Sequence, residues 1–155
     1  MHRMLNRRTL VVSALAFPLS TWAATWPTRP LRIVLPFAAG GSSDLVARLL
    51  ADKLGQALGS CTPWQQKGQT YKCLAGEVPV TWLPKAVGKW NSLYLESDQT
   101  PWADDVACAR AAFAALGVEV RCAPGGWVEE DGEEDADRWV RISADGEEEI
   151  TWRTS

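Results

Sequence analysis

The chain has 155 residues, of which 46% are hydrophobic and 23% charged, so it is long enough for one globular domain with a modest core. The formal net charge is -3, and residues 119–155 hold 12 acidic and four basic side chains. This acidic third argues against nucleic acid as a partner, because phosphate binding needs a basic surface.

The first 23 residues are typical of an export signal. Three arginines precede an apolar stretch, residues 10–19, that is too short to span a bilayer. Small residues near Ala23 predict cleavage after it, so we expect a periplasmic or secreted bacterial protein. An uncleaved anchor or a buried helix is the alternative, which Pro18 and the short length disfavour.

The only histidine, His2, lies in this signal, so the mature chain is expected to have none. That excludes Ser-His-Asp and Cys-His catalysis and histidine metal sites. Serine rather than lysine comes directly after Gly40 and Gly41, so their segment is not a P-loop. We therefore expect no enzyme, no metal and no cofactor, although an active site built on a single carboxylate or lysine stays open.

A strand, a glycine-rich turn and a helix are predicted over residues 31–59. An apolar run of strand length, residues 31–37, comes first. After the turn, leucine and valine recur at helical spacing up to Leu58, and Gly59 is a plausible helix stop.

The turn itself has the composition of an anion site. Gly40 and Gly41 let the backbone come close to a ligand. Ser42 or Ser43 can cap the helix, whose unpaired N–H groups attract an anion. Taken alone, these residues are more often an ordinary strand-to-helix connection.

Residues 1–59 as a whole resemble the Bug family, the TctC-like substrate receptors of tripartite tricarboxylate transporters. The motifs that carry the resemblance are WPTRPLRIVLPFAAGGSSD at residues 26–44 and VARLLADKL at residues 46–54. The resemblance implies two α/β lobes that close on a small carboxylate, with membrane transporter subunits as partners. It assigns ligand contacts to the first strand–helix loop, which consists of Phe37, Ala38, Ala39, Gly40, Gly41, Ser42, Ser43 and Asp44.

The family pattern stops after Gly59. A second strand and a second glycine-rich ligand loop would follow in a receptor, but here the sequence reads SCTPWQQ at residues 60–66. The residues from Ser60 onward are too few for a second lobe. We therefore expect a chain without the two-lobe clamp.

Residues 60–77 are polar and contain Pro63 and Gly68, which predicts a linker or loop. Residues 78–155 predict a small α+β domain with a mixed or mostly antiparallel sheet and one helix. The fold class of the whole chain is thus α+β, with a strand-turn-helix fragment in front of this sheet.

Within that domain, strands are expected at residues 78–83, 91–97 and 118–122. Pro79 predicts that the first of them lies at a sheet edge. A helix is expected between them, with Thr100 as its cap, Pro101 in its first turn and Gly117 at its end.

The C-terminal residues predict a β-hairpin, because Asp145-Gly146 separates the alternating runs 137–143 and 147–154. Trp152 is expected across from Trp139. The acidic run at residues 129–137 is interpreted as a solvated loop, since its glycine does not fit an EF-hand calcium loop.

Cysteine and tryptophan are the remaining conspicuous residues. An even number of cysteines in an exported chain suggests disulfides, and we favour Cys61–Cys73 and Cys108–Cys122. Free buried thiols are the alternative for a cytosolic domain, and zinc is disfavoured because no C-x-x-C spacing occurs. Six of the nine tryptophans lie between Trp82 and Trp152, and we interpret them as core and sheet residues rather than a sugar- or peptide-binding platform.

Two main interpretations of function follow. The first is an exported, non-enzymatic chain like a solute-binding protein, a truncated or remodelled Bug-type receptor for a small carboxylate. The second is a secreted interaction or structural module, fused to a receptor-derived export segment and without solute binding. A recent gene fusion without a joint function is a third, since the family pattern ends abruptly and no methionine follows Met4.

Overall fold

The computed structural model describes residues 30–36, 43–124 and 137–154. In these ranges it places eight strands and two helices. They are β1 (Leu31–Pro36), α1 (Ser43–Leu58), β2 (Gln65–Lys67), β3 (Thr70–Ala75), β4 (Val78–Val87), β5 (Trp90–Leu95), α2 (Asp105–Leu116), β6 (Val120–Cys122), β7 (Arg138–Ser143) and β8 (Gly146–Thr151).

All eight described strands belong to one sheet with the order β2-β3-β4-β5-β1-β6-β7-β8, and every neighbouring pair is antiparallel. A mostly antiparallel sheet with two helices confirms the predicted α+β class at this coarse level. The N-terminal strand and helix correspond to β1 and α1, but the turn predicted between them lies outside the described residues.

Strand β1 lies in the middle of the sheet, between β5 and β6. It pairs with β5 along its whole length, from Leu31 opposite Leu95 to Pro36 opposite Trp90. Its apolar side chains are buried on both faces of the sheet, as expected for an interior strand. Leu31, Ile33 and Val34 are each 1% exposed, and Leu35 is 0% exposed.

The first residue of α2 completes the hydrogen bonding of β1. On the β6 side, β1 is paired only at Ile33 and Val34, because β6 is three residues long. The Arg32 N–H beyond this pairing donates to Asp105 Oδ1 at 2.6 Å, and Asp105 is 0% exposed. A buried N–H without an acceptor is costly, so this carboxylate replaces the missing strand.

Both helices pack on one face of the sheet. Leu50 and Leu54 of α1 and Ala109 of α2 join the same core cluster as Ile33 and Leu93 of the central strands. None of the helices described is long and apolar enough to cross a membrane.

The segment 60–77, for which we predicted a linker or loop, contains the hairpin of β2 and β3. In β3 the buried residues Cys73 and Ala75 alternate with exposed Lys72 and Leu74. This alternation is the ordinary signature of a half-buried strand. The sequence did not predict this hairpin, because the exposed positions of β3 and the whole of the short β2 are almost all polar.

The prediction that Pro79 places its strand at an edge is wrong, since β4 lies between β3 and β5. The physical reason is the unequal length of β4 and β5. Pro79 lies beyond the last paired position of β5, Leu95 opposite Val80, and its carbonyl accepts the Glu96 N–H at 2.8 Å. The N–H donor that proline lacks would therefore lie at the end of the β4–β5 ladder, where its absence does not interrupt the pairing.

The predicted cap of the second helix is also wrong. Helix α2 begins at Asp105, and Asp104 is its N-cap, whose side chain accepts the Ala107 N–H at 2.7 Å. Thr100, the predicted cap, is instead 0% exposed in the preceding segment. The predicted end is confirmed, because Gly117 takes the left-handed conformation with φ 66°.

The C-terminal hairpin is confirmed as β7 and β8, joined at the pair Ser143 and Gly146. Trp139 faces Ile150 in the register, and its ring contacts Trp152 diagonally, at 4.9 Å between centroids. The acidic run lies outside the described residues except for Asp137, whose carboxylate is 3.6 Å from Arg153 Nε.

Candidate functional site

Most of the predicted ligand loop lies outside the described residues, namely Phe37, Ala38, Ala39, Gly40, Gly41 and Ser42. Ser43 and Asp44 are the first two residues of α1. The structure therefore describes the two ends of this loop, at Pro36 in β1 and Ser43 in α1.

A buried asparagine fixes the end of β1. Asn91 is 6% exposed, lies opposite Leu35, and donates from Nδ2 to the Leu35 carbonyl at 3.1 Å. Its Oδ1 accepts the Lys85 N–H at 2.9 Å. The Asn91 side chain thus joins the last residues of strand β1 to the irregular end of β4.

Lys85 lies at that irregularity, a register shift of β4 between Leu83 and Val87. Its φ is 53°, the one non-glycine positive φ among the described residues. This left-handed conformation costs a residue with a Cβ about 1–2 kcal/mol. The Asn91 hydrogen bond stabilises this conformation and so links the backbone of Lys85 to the end of β1.

Three tryptophans and an arginine form a cluster on the sheet face opposite the helices, which we call the Trp-Arg cluster: Trp90, Arg121, Trp139 and Trp152. The Arg121 Cζ atom lies 4.0 Å from the centroid of Trp90 and 4.6 Å from that of Trp152. The Trp90 and Trp152 centroids are 5.3 Å apart. Cation–π contact in this range stabilises by about 0.5–2 kcal/mol.

The Trp-Arg cluster adjoins the end of β1. Trp90 is paired with Pro36, and Arg121 with Val34. Lys89 Nζ lies 5.7 Å from the Trp90 centroid. Lys89 and Arg121 therefore lie near the ring of Trp90, the residue that pairs with Pro36 at the end of β1.

The charge of the Trp-Arg cluster is partly compensated. Arg121 Nε donates to Glu119 Oε1 at 2.9 Å, and Arg141 pairs with Glu148. Two buried nitrogens, Trp139 Nε1 and Arg141 Nε, have no hydrogen-bond partner among the described residues. Buried donors are usually satisfied, so these two nitrogens are exceptions on this face of the sheet.

The four cysteines are free thiols, so the structure does not show the disulfides that we predicted. The predicted partners are nevertheless neighbours. A hydrogen bond links the Cys61 and Cys73 thiols, and burial with this contact raises the pKa of Cys73 to about 12. Burial first, and then Asp105, raise the pKa of Cys122 to about 12, and the same causes raise that of Cys108. Raised thiol pKa values disfavour the thiolate, so none of these three buried cysteines is an activated nucleophile.

No group of histidine, cysteine and acidic side chains among the described residues could hold a metal ion. The tryptophans agree with the core interpretation at two positions, since Trp82 is 3% and Trp90 7% exposed.

Sequence reasoning missed the roles of Lys85 and Arg121. The sequence shows only that these two residues lie in or near strands. It does not show that they are neighbours, because that depends on the pairing of β1 with β5 and β6.

Comparison with known proteins finds relatives for part of the chain. A UPF0065 protein of Bordetella bronchiseptica is 46% identical over 55 residues, which are 34% of this chain and 16% of the relative. Protein BugT of Bordetella pertussis is 31% identical over 94 residues, 61% of this chain and 27% of the relative. A UPF0065 protein of Bordetella pertussis is 43% identical over 56 residues, 34% of this chain and 17% of the relative.

These relatives confirm the resemblance of a segment of the chain to Bug proteins. The chain spans about a quarter or less of the length of these curated relatives. No protein-family profile matches the chain, and no solved structure matches it significantly.

Proposed function

We propose that the chain is an exported, non-enzymatic binding protein derived from a Bug-type receptor, with a small carboxylate as ligand and Phe37 to Asp44 as the binding loop. The observation that carries this proposal is the similarity of part of the chain to BugT and UPF0065 proteins. Two basic residues near the ring of Trp90, which pairs with Pro36 at the end of β1, support it: Lys89 and Arg121.

The test is thermal unfolding of the protein against succinate, citrate and neutral analogues of the same size. A ligand at 100 times its dissociation constant stabilises the folded state by about 2.7 kcal/mol, which raises the midpoint by roughly 8 °C for a domain of this size. Gly41→Asp introduces a negative charge in the loop and should abolish the shift. Gln65→Glu adds the same charge on the exposed strand β2 and should preserve it.

No shift with any carboxylate, or an equal shift in both variants, would refute carboxylate binding at this loop. By the same resemblance, the membrane subunits of a tricarboxylate transporter are the expected partners. Crosslinking in cells that contain such subunits tests that expectation, and its failure would leave the ligand result untouched.

Export has its own consequence for the cysteines. In an oxidising compartment we expect Cys61 and Cys73 to form a disulfide first, because Cys61 is partly exposed while Cys108 and Cys122 are buried. Their raised pKa values make the thiolates scarce at neutral pH, so oxidation by glutathione disulfide should accelerate as pH rises toward and above 9. Peptide mapping of protein recovered from the periplasm, alkylated without reduction, checks this. Complete alkylation of all four thiols would contradict formation of the Cys61–Cys73 disulfide.

A further inference from the structure

A groove separates the two helices on the helix-covered face of the sheet. Its floor consists of Ile33, Leu93 and Leu95 of the central strands, and its walls come from α1 and α2. Its volume is about 90 Å³. The groove is remote from the Trp-Arg cluster, which occupies the opposite face of the sheet.

The side chains in the walls explain why the groove exists. The α2 wall includes three alanines, Ala111, Ala112 and Ala115, whose short side chains do not reach the leucines of α1. The apolar floor and walls give water almost no hydrogen-bond partners, and a site of that kind favours an apolar occupant. The volume exceeds half of the roughly 150 Å³ that holds benzene in an engineered dry cavity, so about four carbon atoms fit.

Among the side chains that the structure describes, a single charged one lines the groove. Lys53 of α1 lies at its wall, with 32% of its side chain exposed. Its contact with the neighbouring Asp52 is long, at 3.9 Å, and the Asp52 side chain is 64% exposed. An ion pair this exposed is weak, so the ammonium group remains able to bind another carboxylate.

We propose that this groove binds short aliphatic monocarboxylates, with the alkyl chain between α1 and α2 and the carboxylate on Lys53. The apolar lining selects the alkyl chain, and the single cation selects the charged end. None of the residues that line the groove belongs to the range 37–44, and the proposal does not depend on carboxylate binding there.

The first experiment is isothermal titration calorimetry of the full chain with propanoate, butanoate, pentanoate, hexanoate and octanoate. Each buried methylene should tighten binding about fourfold. The gain should stop at pentanoate, whose four alkyl carbon atoms fill the groove. Affinity that does not change from propanoate to hexanoate would overturn the proposal.

Two pairs of variants test the position of the ligand. Ala112→Phe fills the groove and should abolish binding of pentanoate. Ala114→Phe adds the same ring at an exposed position of α2 outside the groove, and should not. Unfolding midpoints of the two variants check that both fold, and equal pentanoate affinities in the two would overturn the proposal.

Lys53→Gln tests the charge, with Lys67→Gln on exposed β2 as its control. Loss of the ion pair between Lys53 and the pentanoate carboxylate should weaken binding about twofold to fivefold. It should also remove the preference for pentanoate over 1-pentanol, and an unchanged preference would contradict a role for Lys53. Gly41→Asp should leave pentanoate binding intact, so failure at one site is distinguishable from failure at the other.

Discussion

Residues 60–155 alone should not fold, whereas residues 30–155 should unfold in one cooperative transition. The shorter chain lacks β1, which lies between β5 and β6. Without it the sheet separates into β2-β3-β4-β5 and β6-β7-β8. Each part then exposes an unpaired interior edge and an apolar face, which is the arrangement that aggregates.

The size of the effect follows from burial. Leu31, Ile33, Val34 and Leu35 are all nearly or completely buried. At about 1.5–3 kcal/mol for each buried aliphatic side chain, β1 contributes roughly 6–12 kcal/mol. That equals the whole stability of a typical domain, about 5–15 kcal/mol.

Circular dichroism with urea titration measures whether each chain has a cooperative unfolding transition. The 60–155 chain should show no sharp transition, and the 30–155 chain serves as the control. In the full chain, Ile33→Ala should cost about 2–5 kcal/mol. Arg32→Ala, at the exposed neighbouring position, keeps its backbone N–H to Asp105 but loses the side-chain hydrogen bond from Nε to Ser92 Oγ, and should cost about 1 kcal/mol.

The outcome separates the two interpretations of function. If the leader and the receptor-like segment only supplied export, residues 60–155 would fold and work alone. A cooperative transition in the 60–155 chain would support that secreted-module interpretation and contradict the importance of β1. Its absence would mean that the receptor-derived strand has become part of a new sheet.

The sequence predicts those elements whose apolar period is strong and local. The run from Leu31 and the hairpin around Asp145 were found because strand alternation and a turn residue coincide. The β2–β3 hairpin was missed because its exposed face is polar and its turn, at Gly68, resembles a loop. Pairing partners are not local information, so neither the central place of β1 nor the interior place of β4 could be predicted.

The candidate site shows the same limit. Gly40 to Ser43 were recognised from a motif, which needs no knowledge of the fold. Lys85 is linked through Asn91 to Leu35, 50 residues earlier, and Arg121 pairs with Val34, 87 residues earlier, and no pattern in the sequence connects them. The groove at Lys53 likewise depends on two helices that are far apart in the chain.

Gly76→Ala should be among the most damaging single substitutions in the chain. Gly76 follows β3 in the left-handed conformation, with φ 59°, and packs against the end of α1. A Cβ on Gly76 would overlap the carbonyl oxygen of Leu58, which is backbone and cannot rotate away. The end of α1 would have to move off the sheet and lose its contact with the core.

Gly68→Ala is the matched control. Gly68 has nearly the same φ, 61°, but nothing lies within 4 Å of an added Cβ there. Gly68→Ala should therefore show the conformational cost alone, about 1–2 kcal/mol. Gly76→Ala adds the overlap, for which we expect a total of about 3 kcal/mol or more. Urea unfolding of the two variants measures the difference. Equal losses of stability would mean that α1 does not pack on the β3–β4 turn, because only that contact distinguishes the two glycines.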